Sequence, residues 1–228
     1  MVSLNGVKQL LLICAVVALV GCPRYEDRHY PPSKERSAST IEAAIRKAAK
    51  KPTGELTKAD YEKIKSLKIT VNIDSIWVTD SPLIHATGLE KLTQLKILDL
   101  SSNQLNDLKG LENLTQLKIL DLSNNQLNDL KGLENLAQVK TLNLCFNQLV
   151  DVKGLENLMQ LKTLSLWNNQ LTNVKELEEL TRLEFLDLKD NPDLTKAQID
   201  ELQKALPNCE ISSNPKEVTA LIAPRESP

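Results

Sequence analysis

Leucines recur at a fixed period of 22 residues through the middle of the chain. Residues 88–109, GLEKLTQLKILDLSSNQLNDLK, and residues 110–131, GLENLTQLKILDLSNNQLNDLK, agree at twenty of twenty-two positions. Each copy contains a short alternating L-x-L stretch, which predicts a half-buried strand, and then apolar residues at wider spacing. One such unit is too small to bury its apolar side chains alone, so we expect consecutive units to stack.

The repeated frame, L-x-x-L-x-L-x-x-N-x-L, resembles the leucine-rich repeat signature. Four complete units begin at Leu95, Leu117, Val139 and Leu161; a fifth runs from Leu183 to Asn191, and an imperfect unit, Ile64, Leu67, Ile69 and Asn72, precedes them all. For residues 64–194 the resemblance implies an α/β solenoid, a right-handed arc with a parallel sheet on its concave face. About twelve residues remain for each return segment, so the convex side is predicted to be 3-10 or extended.

Capping signals predict helices before the repeats. Ser39, three residues before Glu42, is predicted to begin a helix that ends at Pro52 and Gly54, and Thr57 with Asp60 begins a second one. Residues 39–63 resemble the helical amino-terminal cap of internalin-type proteins. Such a cap covers the apolar edge of the first repeat.

A closing cap is predicted at residues 195–213. Thr195 with Gln198 begins a helix, after which Leu206, Cys209 and Ile211 continue the inward positions of the repeat frame. Residues 214–228 show no periodic pattern and are predicted to be a disordered tail. Because both ends of the repeats are predicted to be capped, we expect a monomer.

The amino terminus resembles the signal peptide of a bacterial lipoprotein. Residues 10–20, LLLICAVVALV, are too few to span a bilayer as a helix, and small Gly21 precedes Cys22. In that family the signal, here residues 1–21, is removed and the cysteine thiol is acylated, so Cys22 is the predicted lipidation site. An ordinary secretory signal that happens to end in cysteine remains the alternative. Pro23 favours the outer membrane of a bacterial cell envelope, on either its periplasmic or its outer face.

Residues 22–38 are polar and contain three prolines, which predicts a flexible tether between the lipid and the folded part. Outside the cytoplasm Cys145 and Cys209 would meet an oxidising environment, so a disulfide has to be considered. The repeat frame places them three strand steps apart, about 14 Å, which exceeds the limit of about 7 Å between bridged Cα atoms. We therefore predict that these two thiols are not joined.

Composition argues against several functions. The net charge of −2 gives no electrostatic footprint for nucleic acid, which requires a basic face. The two histidines, His29 and His85, lie in the tether and in the irregular segment 73–87, and no nucleophile-base pair or phosphate-binding glycine loop is evident. We expect a protein that is not an enzyme and that uses no metal or cofactor.

Differences between the repeats concentrate at strand positions that are predicted to face outward, on what we call the concave sheet face. These positions form three columns: Ile97, Ile119, Thr141, Thr163 and Phe185; Asp99, Asp121, Asn143, Ser165 and Asp187; and Ser101, Ser123, Cys145, Trp167 and Lys189. The aspartates are interpreted as solvated acids, because a flat array lacks the enclosing loop of a calcium site. Rows of lysine (96, 118, 140, 162) and glutamate (90, 112, 134, 156) are interpreted as charges that maintain solubility.

Three aromatic residues, Phe146, Trp167 and Phe185, are predicted to lie close together on this face, and exposed aromatic clusters are typical of interaction hot spots. The asparagines at 103, 125, 147, 169 and 191 are instead interpreted as structural, because a buried amide satisfies turn backbone groups. We predict a protein or peptide partner, and the alternative is a passive envelope spacer. The predicted binding residues are Thr141, Asn143, Cys145, Phe146, Thr163, Ser165, Trp167, Phe185, Asp187 and Lys189.

Overall fold

The structure, a computed structural model, describes residues 33–70 and 82–215. The predicted signal peptide with Cys22, most of the tether with His29, Asn72 and most of the tail lie outside the described residues. All that follows concerns the described part of the chain.

Seven short strands form one parallel sheet in chain order. They are β1 (Ser66–Lys68), β2 (Ile97–Asp99), β3 (Ile119–Asp121), β4 (Thr141–Asn143), β5 (Thr163–Ser165), β6 (Phe185–Asp187) and β7 (Glu210–Ser212). The central residue of each strand pairs with the central residue of the next, and from β1 to β6 this residue is a buried leucine. The sheet is open, since β1 and β7 each pair on one side only. The predicted solenoid with its parallel sheet is confirmed.

The core is a stack of leucine layers beneath this sheet. In the first complete repeat Leu95, Leu98 and Leu100 are 0% exposed on the strand side. Leu111 and Leu114, from the return segment, are also 0% exposed. The return segments consist of turns, with one 3-10 helix at Lys175–Leu177, as predicted. Every layer touches only its neighbours, so the stability of each repeat depends on the repeats beside it.

The first helix, α1, spans Lys34–Ala49, and our prediction of its start was wrong. Ser33 is the N-cap, with its hydroxyl accepting a hydrogen bond from Arg36 N at 3.3 Å. Ser39 lies inside the helix and donates to Arg36 O instead. A capping serine therefore occurs six residues earlier than predicted, and nothing between it and Ser39 interrupts a helix. The helix ends where Lys50 adopts a left-handed conformation (φ 55°), before Pro52.

The amino-terminal cap is fixed to the repeats by both apolar and polar contacts. Ile41 and Ile45 of α1 are buried in the leucine core, and the hydroxyl of Ser37 accepts from Ile84 N at 3.1 Å. The second helix, α2 (Lys58–Lys63), begins at Thr57 as predicted, with Thr57 N donating to the Asp60 carboxylate at 2.9 Å. The hydrogen bond from Lys51, at 2.8 Å, and then those from Thr57 lower the pKa of Asp60 well below its usual range.

The closing cap begins with α3 (Lys196–Ala205). The hydroxyl of Thr195 accepts from Gln198 N, which confirms the predicted capping box. Leu206 and Cys209 are buried after it, and burial raises the pKa of the Cys209 thiol to about 11. Cys145 follows β4 and Cys209 precedes β7, so the sheet order separates the two by three strands and they form no disulfide, as predicted.

The convex turns use side chains that we had interpreted as solvated. Glu112 accepts a hydrogen bond from Gly110 N at 2.7 Å, and Glu90, Glu134 and Glu156 make the same contact in their repeats. Gly110 has a φ of 99°, and a Cβ there would lie 2.6 Å from Ala86 O. The glutamate row therefore closes the turns, which is a structural role that the sequence interpretation missed.

The asparagine column satisfies buried backbone groups of the turns, as predicted, and it does so across neighbouring repeats. Asn125 is 8% exposed; its Oδ1 accepts from Leu105 N at 3.0 Å, and its Nδ2 donates to Leu100 O and Leu122 O at 3.0 Å. The same arrangement recurs at Asn103, Asn147, Asn169 and Asn191. One amide thus satisfies backbone groups of two repeats that would otherwise be buried without partners.

We predict that Asn125→Leu destabilises the fold by roughly 2–5 kcal/mol, because it leaves a buried N–H and buried carbonyls unsatisfied. Urea denaturation measures the change. The control is Asn128→Leu, which alters an exposed asparagine of the same repeat and is expected to change stability by less than about 0.5 kcal/mol. Equal effects of the two variants would contradict the structural role of the column.

Candidate binding site on the concave sheet face

The first column of the concave sheet face is accessible to solvent. Ile97 is 41% exposed, and Ile119, Thr141, Thr163 and Phe185 are half-buried. Each of these side chains begins a strand and is flanked by its counterparts on the neighbouring strands. The predicted outward direction of this column is confirmed.

The centre of the second column is buried, which corrects the prediction that it faces solvent. Asp121, Asn143 and Ser165 are only 4%, 2% and 5% exposed. Cys145 of the third column is 3% exposed. Alternation along a strand gives the direction of a side chain, but it does not reveal how completely its neighbours, one strand step of about 4.8 Å away, cover it. Asn143, Ser165 and Cys145 are therefore not freely accessible contact residues.

The buried groups of this face bond to one another. Asn143 Nδ2 donates to Asp121 Oδ2 at 3.2 Å, and the Cys145 thiol and the Ser165 hydroxyl lie 2.8 Å apart. Asp121 also accepts from the backbone N–H and the hydroxyl of Ser123, at 2.9 and 2.6 Å. The centre of the concave sheet face is thus a closed polar network whose hydrogen-bonding groups are already engaged.

Asp121 and Asp99 differ in burial and in their partners. Desolvation raises the pKa of Asp121 above its usual value, and the neighbouring Asp99 adds to the effect, against the hydrogen bonds from Ser123 and Asn143. Asp99 is half-buried at the end of the column and pairs with Lys68 at 2.5 Å. The interpretation of these aspartates as solvated acids is therefore wrong for Asp121.

Phe146 and Trp167 form the accessible aromatic part of the face. Their ring centroids are 4.7 Å apart at an interplanar angle of 62°, an edge-to-face contact, and both residues are half-buried. Rings in this arrangement stabilise each other by about 0.5–1.5 kcal/mol beyond their burial. Phe185 begins β6, and none of the described ring contacts involves it, so the structure brings together two of the three predicted aromatics.

Phe146 occupies a left-handed backbone position. The equivalent residues Ser102, Asn124, Asn168 and Asp190 have φ between 53° and 57°, and Phe146 has φ 54°. Short polar side chains tolerate this conformation, whereas a bulky residue in it is a genuine outlier. Retained strain of this kind is typical of functional sites. The repeated Ser, Asn and Asp residues at this shared position are a visible signal in the sequence, but the position was not predicted.

Trp167 is held by residues that the sequence analysis did not select. Its indole N–H donates to Asp190 Oδ2 at 2.6 Å, and Asn214 bonds Asp190 twice, at 2.7 Å each, once as donor and once as acceptor. The hydrogen bonds from Trp167 and then Asn214 lower the pKa of Asp190. The last two predicted residues, Asp187 and Lys189, lie nearby on and after β6, where Lys189 N donates to Asp187 Oδ1 at 3.1 Å.

The described residues contain no group of three or more His, Cys, Asp or Glu side chains arranged to hold a metal ion. No helix within the ranges 33–70 and 82–215 is long and apolar enough to cross a membrane. His85 Nδ1 lies 3.2 Å from the carboxylate of Asp107, and this contact ties the segment before the first complete repeat to that repeat.

Comparison with known sequences identifies the repeats. The family described as leucine-rich repeats in two copies matches residues 93–135, 115–157, 137–179 and 159–208, so the matches together span about half of the chain. The chain belongs to the leucine-rich repeat family. No curated protein sequence matches this leucine-rich repeat protein.

Two solved structures share its fold. Internalin C2 from Listeria monocytogenes is 24% identical with a TM-score of 0.57, and the match covers 81% of this chain and 89% of that one. Internalin F from the same species is 20% identical with a TM-score of 0.55, covering 79% of this chain and 64% of that one. At these identities the likeness shows an internalin-like leucine-rich repeat fold.

We predict that Asp121→Asn gains stability relative to the wild type as the pH rises from 3.5 to 7. The raised pKa of Asp121 means that its ionised form disfavours the folded state, and that cost disappears once the pH falls below the unfolded pKa near 3.8, where the carboxyl is protonated in both states. The urea midpoint of Asp121→Asn, measured against that of the wild type, should therefore be higher at pH 7 than at pH 3.5. The substitution also removes the acceptor of Asn143 Nδ2, but that loss is the same at both pH values.

The matched control is Asp99→Asn, which removes the ion pair with Lys68 and is expected to give no gain at pH 7. A difference in midpoint between Asp121→Asn and the wild type that stays the same from pH 3.5 to pH 7 would contradict the destabilising role of the buried carboxylate.

Proposed function

We propose that this leucine-rich repeat protein binds a protein or peptide partner on its concave sheet face, while a lipid on Cys22 holds it in the bacterial cell envelope. The observation that carries the proposal of partner binding is the strained aromatic pair, Phe146 and Trp167. Phe146 stands where the remaining complete repeats have Ser or Asn and the fifth repeat has Asp, and it contacts Trp167 edge to face. Large aromatic side chains supply most of the energy at many protein interfaces.

The pair is preorganised for binding. Asp190 fixes the indole of Trp167, and Trp167 in turn packs against the ring of Phe146. Side chains that are already ordered lose little further conformational entropy when a partner binds. Beside them, the hydrogen-bonding groups of Asp121, Asn143 and Ser165 are engaged internally. Affinity is therefore expected to come from apolar contact with the two rings and with the half-buried first column.

A protein partner fits this surface better than a small molecule. The candidate residues extend over three neighbouring strands, β4, β5 and β6, whereas small ligands usually occupy concave pockets that enclose most of their surface. Leucine-rich repeat proteins of the internalin type commonly mediate protein binding, which agrees with this assignment. The proposal involves no catalytic step.

The lipid anchor is supported by the sequence of residues 10–22 alone. A cleaved signal that leaves Cys22 at the new amino terminus would place the tether between the membrane and α1. Several acyl chains on one residue hold a protein stably, whereas one chain alone gives marginal attachment. The concave sheet face would then be presented at the envelope surface on which the lipid resides.

We predict that Phe146→Asn combined with Trp167→Ala abolishes capture of the partner, at least a hundredfold loss, since hot-spot truncations cost about 2 kcal/mol or more each. The Phe146→Asn change alone should alter stability by no more than about 1 kcal/mol, because relief of the left-handed strain offsets the lost ring contact. Crosslinking in native envelopes followed by mass spectrometry identifies the partner, and thermal melts report the fold.

The control for this experiment is Val150→Ala with Met159→Ala. These two side chains are 46% and 48% exposed and lie outside the strands, so the control removes comparable apolar surface elsewhere. Identical sets of crosslinked proteins for the wild type and the aromatic variant would overturn the binding proposal and favour the passive spacer.

We predict that Cys22 carries the lipid. Cells expressing the full chain are grown with a palmitate analogue, and labelled protein is detected after extraction. Cys22→Ser should lose the label and leave the membrane fraction, whereas Cys14→Ser, which changes the other amino-terminal cysteine, should keep both properties. Label that persists in Cys22→Ser would exclude the proposed anchor.

A further inference from the structure

We propose that one edge of the sheet binds a linear acidic polysaccharide. This surface, which we call the lysine-glutamine edge, consists of the residues just before β2 to β5: Gln94, Gln116, Gln138 and Gln160 with Lys96, Lys118, Lys140 and Lys162. It is separate from the aromatic pair, because it lies at the amino ends of the strands and Trp167 follows the carboxyl end of β5.

The lysines form a ladder along the repeats. Lys118 N donates to Lys96 O at 2.8 Å, Lys140 N to Lys118 O at 2.9 Å, and Lys162 N to Lys140 O at 2.8 Å. Their side chains are all exposed and follow one another at one strand step, about 4.8 Å, so four charges extend over about 14 Å. Lys65, the residue just before β1, continues the ladder by one more step. Its carbonyl accepts a hydrogen bond from Lys96 N at 2.9 Å.

This ladder is electrostatically unfavourable in the isolated protein. Like charges directly across from each other on neighbouring strands destabilise a sheet. Within the described ranges no carboxylate lies within 4.0 Å of the amino groups of Lys96, Lys118 and Lys140, whereas Lys162 pairs with Glu184 at the end of the row. A chain with a net charge of −2 thus keeps three neighbouring positive charges uncompensated on one line.

A polymer with one negative charge per strand step matches this line. In an extended polymer of uronic acids each sugar ring carries one carboxylate and advances the chain by about one strand step. An acidic peptide can present a similar line of carboxylates, but it lacks the hydroxyl groups that the neighbouring glutamines can bind. An anionic bilayer presents its charge in two dimensions and favours a broad basic patch rather than a single row.

The glutamines provide a second and independent reason for a sugar. Gln94, Gln116 and Gln138 are exposed and stand two residues before the lysines of the same repeats. An amide both donates and accepts hydrogen bonds, so a row of amides suits the hydroxyl groups of a carbohydrate, which a purely ionic partner lacks. Both rows end together in the fifth repeat, where Arg182 and Glu184 replace glutamine and lysine.

The test uses the full chain in a non-ionic detergent and fluorescent oligogalacturonates of defined length at pH 7. Binding should strengthen most steeply between two and five sugars and disappear for the fully methyl-esterified polymer. Lys118→Gln with Lys140→Gln should weaken binding at least about tenfold at low salt and reduce the slope of log K against log salt by about 1 to 2. Lys118→Arg with Lys140→Arg, which keeps the charges, should bind as the wild type does.

The charge-matched control is Lys109→Gln with Lys131→Gln, which removes two exposed lysines from adjacent repeats on the convex turns. An equal loss in this control, or no binding by the wild type, would overturn the proposal. Equal affinity for poly-glutamate or for phosphatidylglycerol vesicles, with the same dependence on Lys118 and Lys140, would also overturn it in favour of a peptide or a membrane. Gln116→Ala with Gln138→Ala distinguishes a sugar from a peptide or a membrane, because this variant should weaken sugar binding alone.

The inference is independent of the proposed protein partner. Phe146→Asn with Trp167→Ala should leave oligogalacturonate binding unchanged, since neither residue belongs to the lysine-glutamine edge. Loss of sugar binding in that variant while its melting temperature is unchanged would show that the site lies on the concave sheet face instead and would overturn the assignment.

Discussion

The whole architecture depends on satisfying the backbone between stacked repeats. The three-residue strands bury their leucines, but after every strand the chain has to turn inside the core. At each turn one asparagine accepts a hydrogen bond from the preceding repeat and donates to backbone carbonyls of both repeats. Without that amide, the leucine layers could stack only at the cost of buried and unpaired peptide groups. The leucines therefore supply the driving force for stacking, and the asparagines fix its geometry.

The same constraint explains how much of the fold was predictable. A 22-residue period with leucine and asparagine at fixed places specifies strand register, core and turn together, so the solenoid, the sheet order and the buried asparagines followed from the pattern. The start of α1 did not, because Ser33 and Ser39 are both acceptable caps and the choice between them depends on what α1 packs against. Contacts such as that of Ser37 with Ile84, 47 positions apart, are invisible to a local pattern.

The candidate site was predictable only in part. Period-2 alternation correctly placed Trp167 and the first column on the outer side of the sheet. It failed for Asp121, Asn143, Ser165 and Cys145, because coverage depends on the size and hydrogen bonding of side chains in neighbouring repeats. The positioning of Trp167 by Asp190 and Asn214 requires contacts between residues 23 and 24 positions apart. Such contacts cross from one repeat to the next, beyond any motif within a single unit.

The left-handed residue after each strand gives the architecture a form of modularity. The backbone around positions 102, 124, 146, 168 and 190 is held by the core and by the asparagine next to each of them, so its conformation hardly varies whether the side chain is Ser, Asn, Asp or Phe. A point substitution can therefore exchange the side chain displayed at any of these five positions without remodelling a loop. Duplication of a repeat would add another such position, and recognition could diversify along the solenoid one residue at a time.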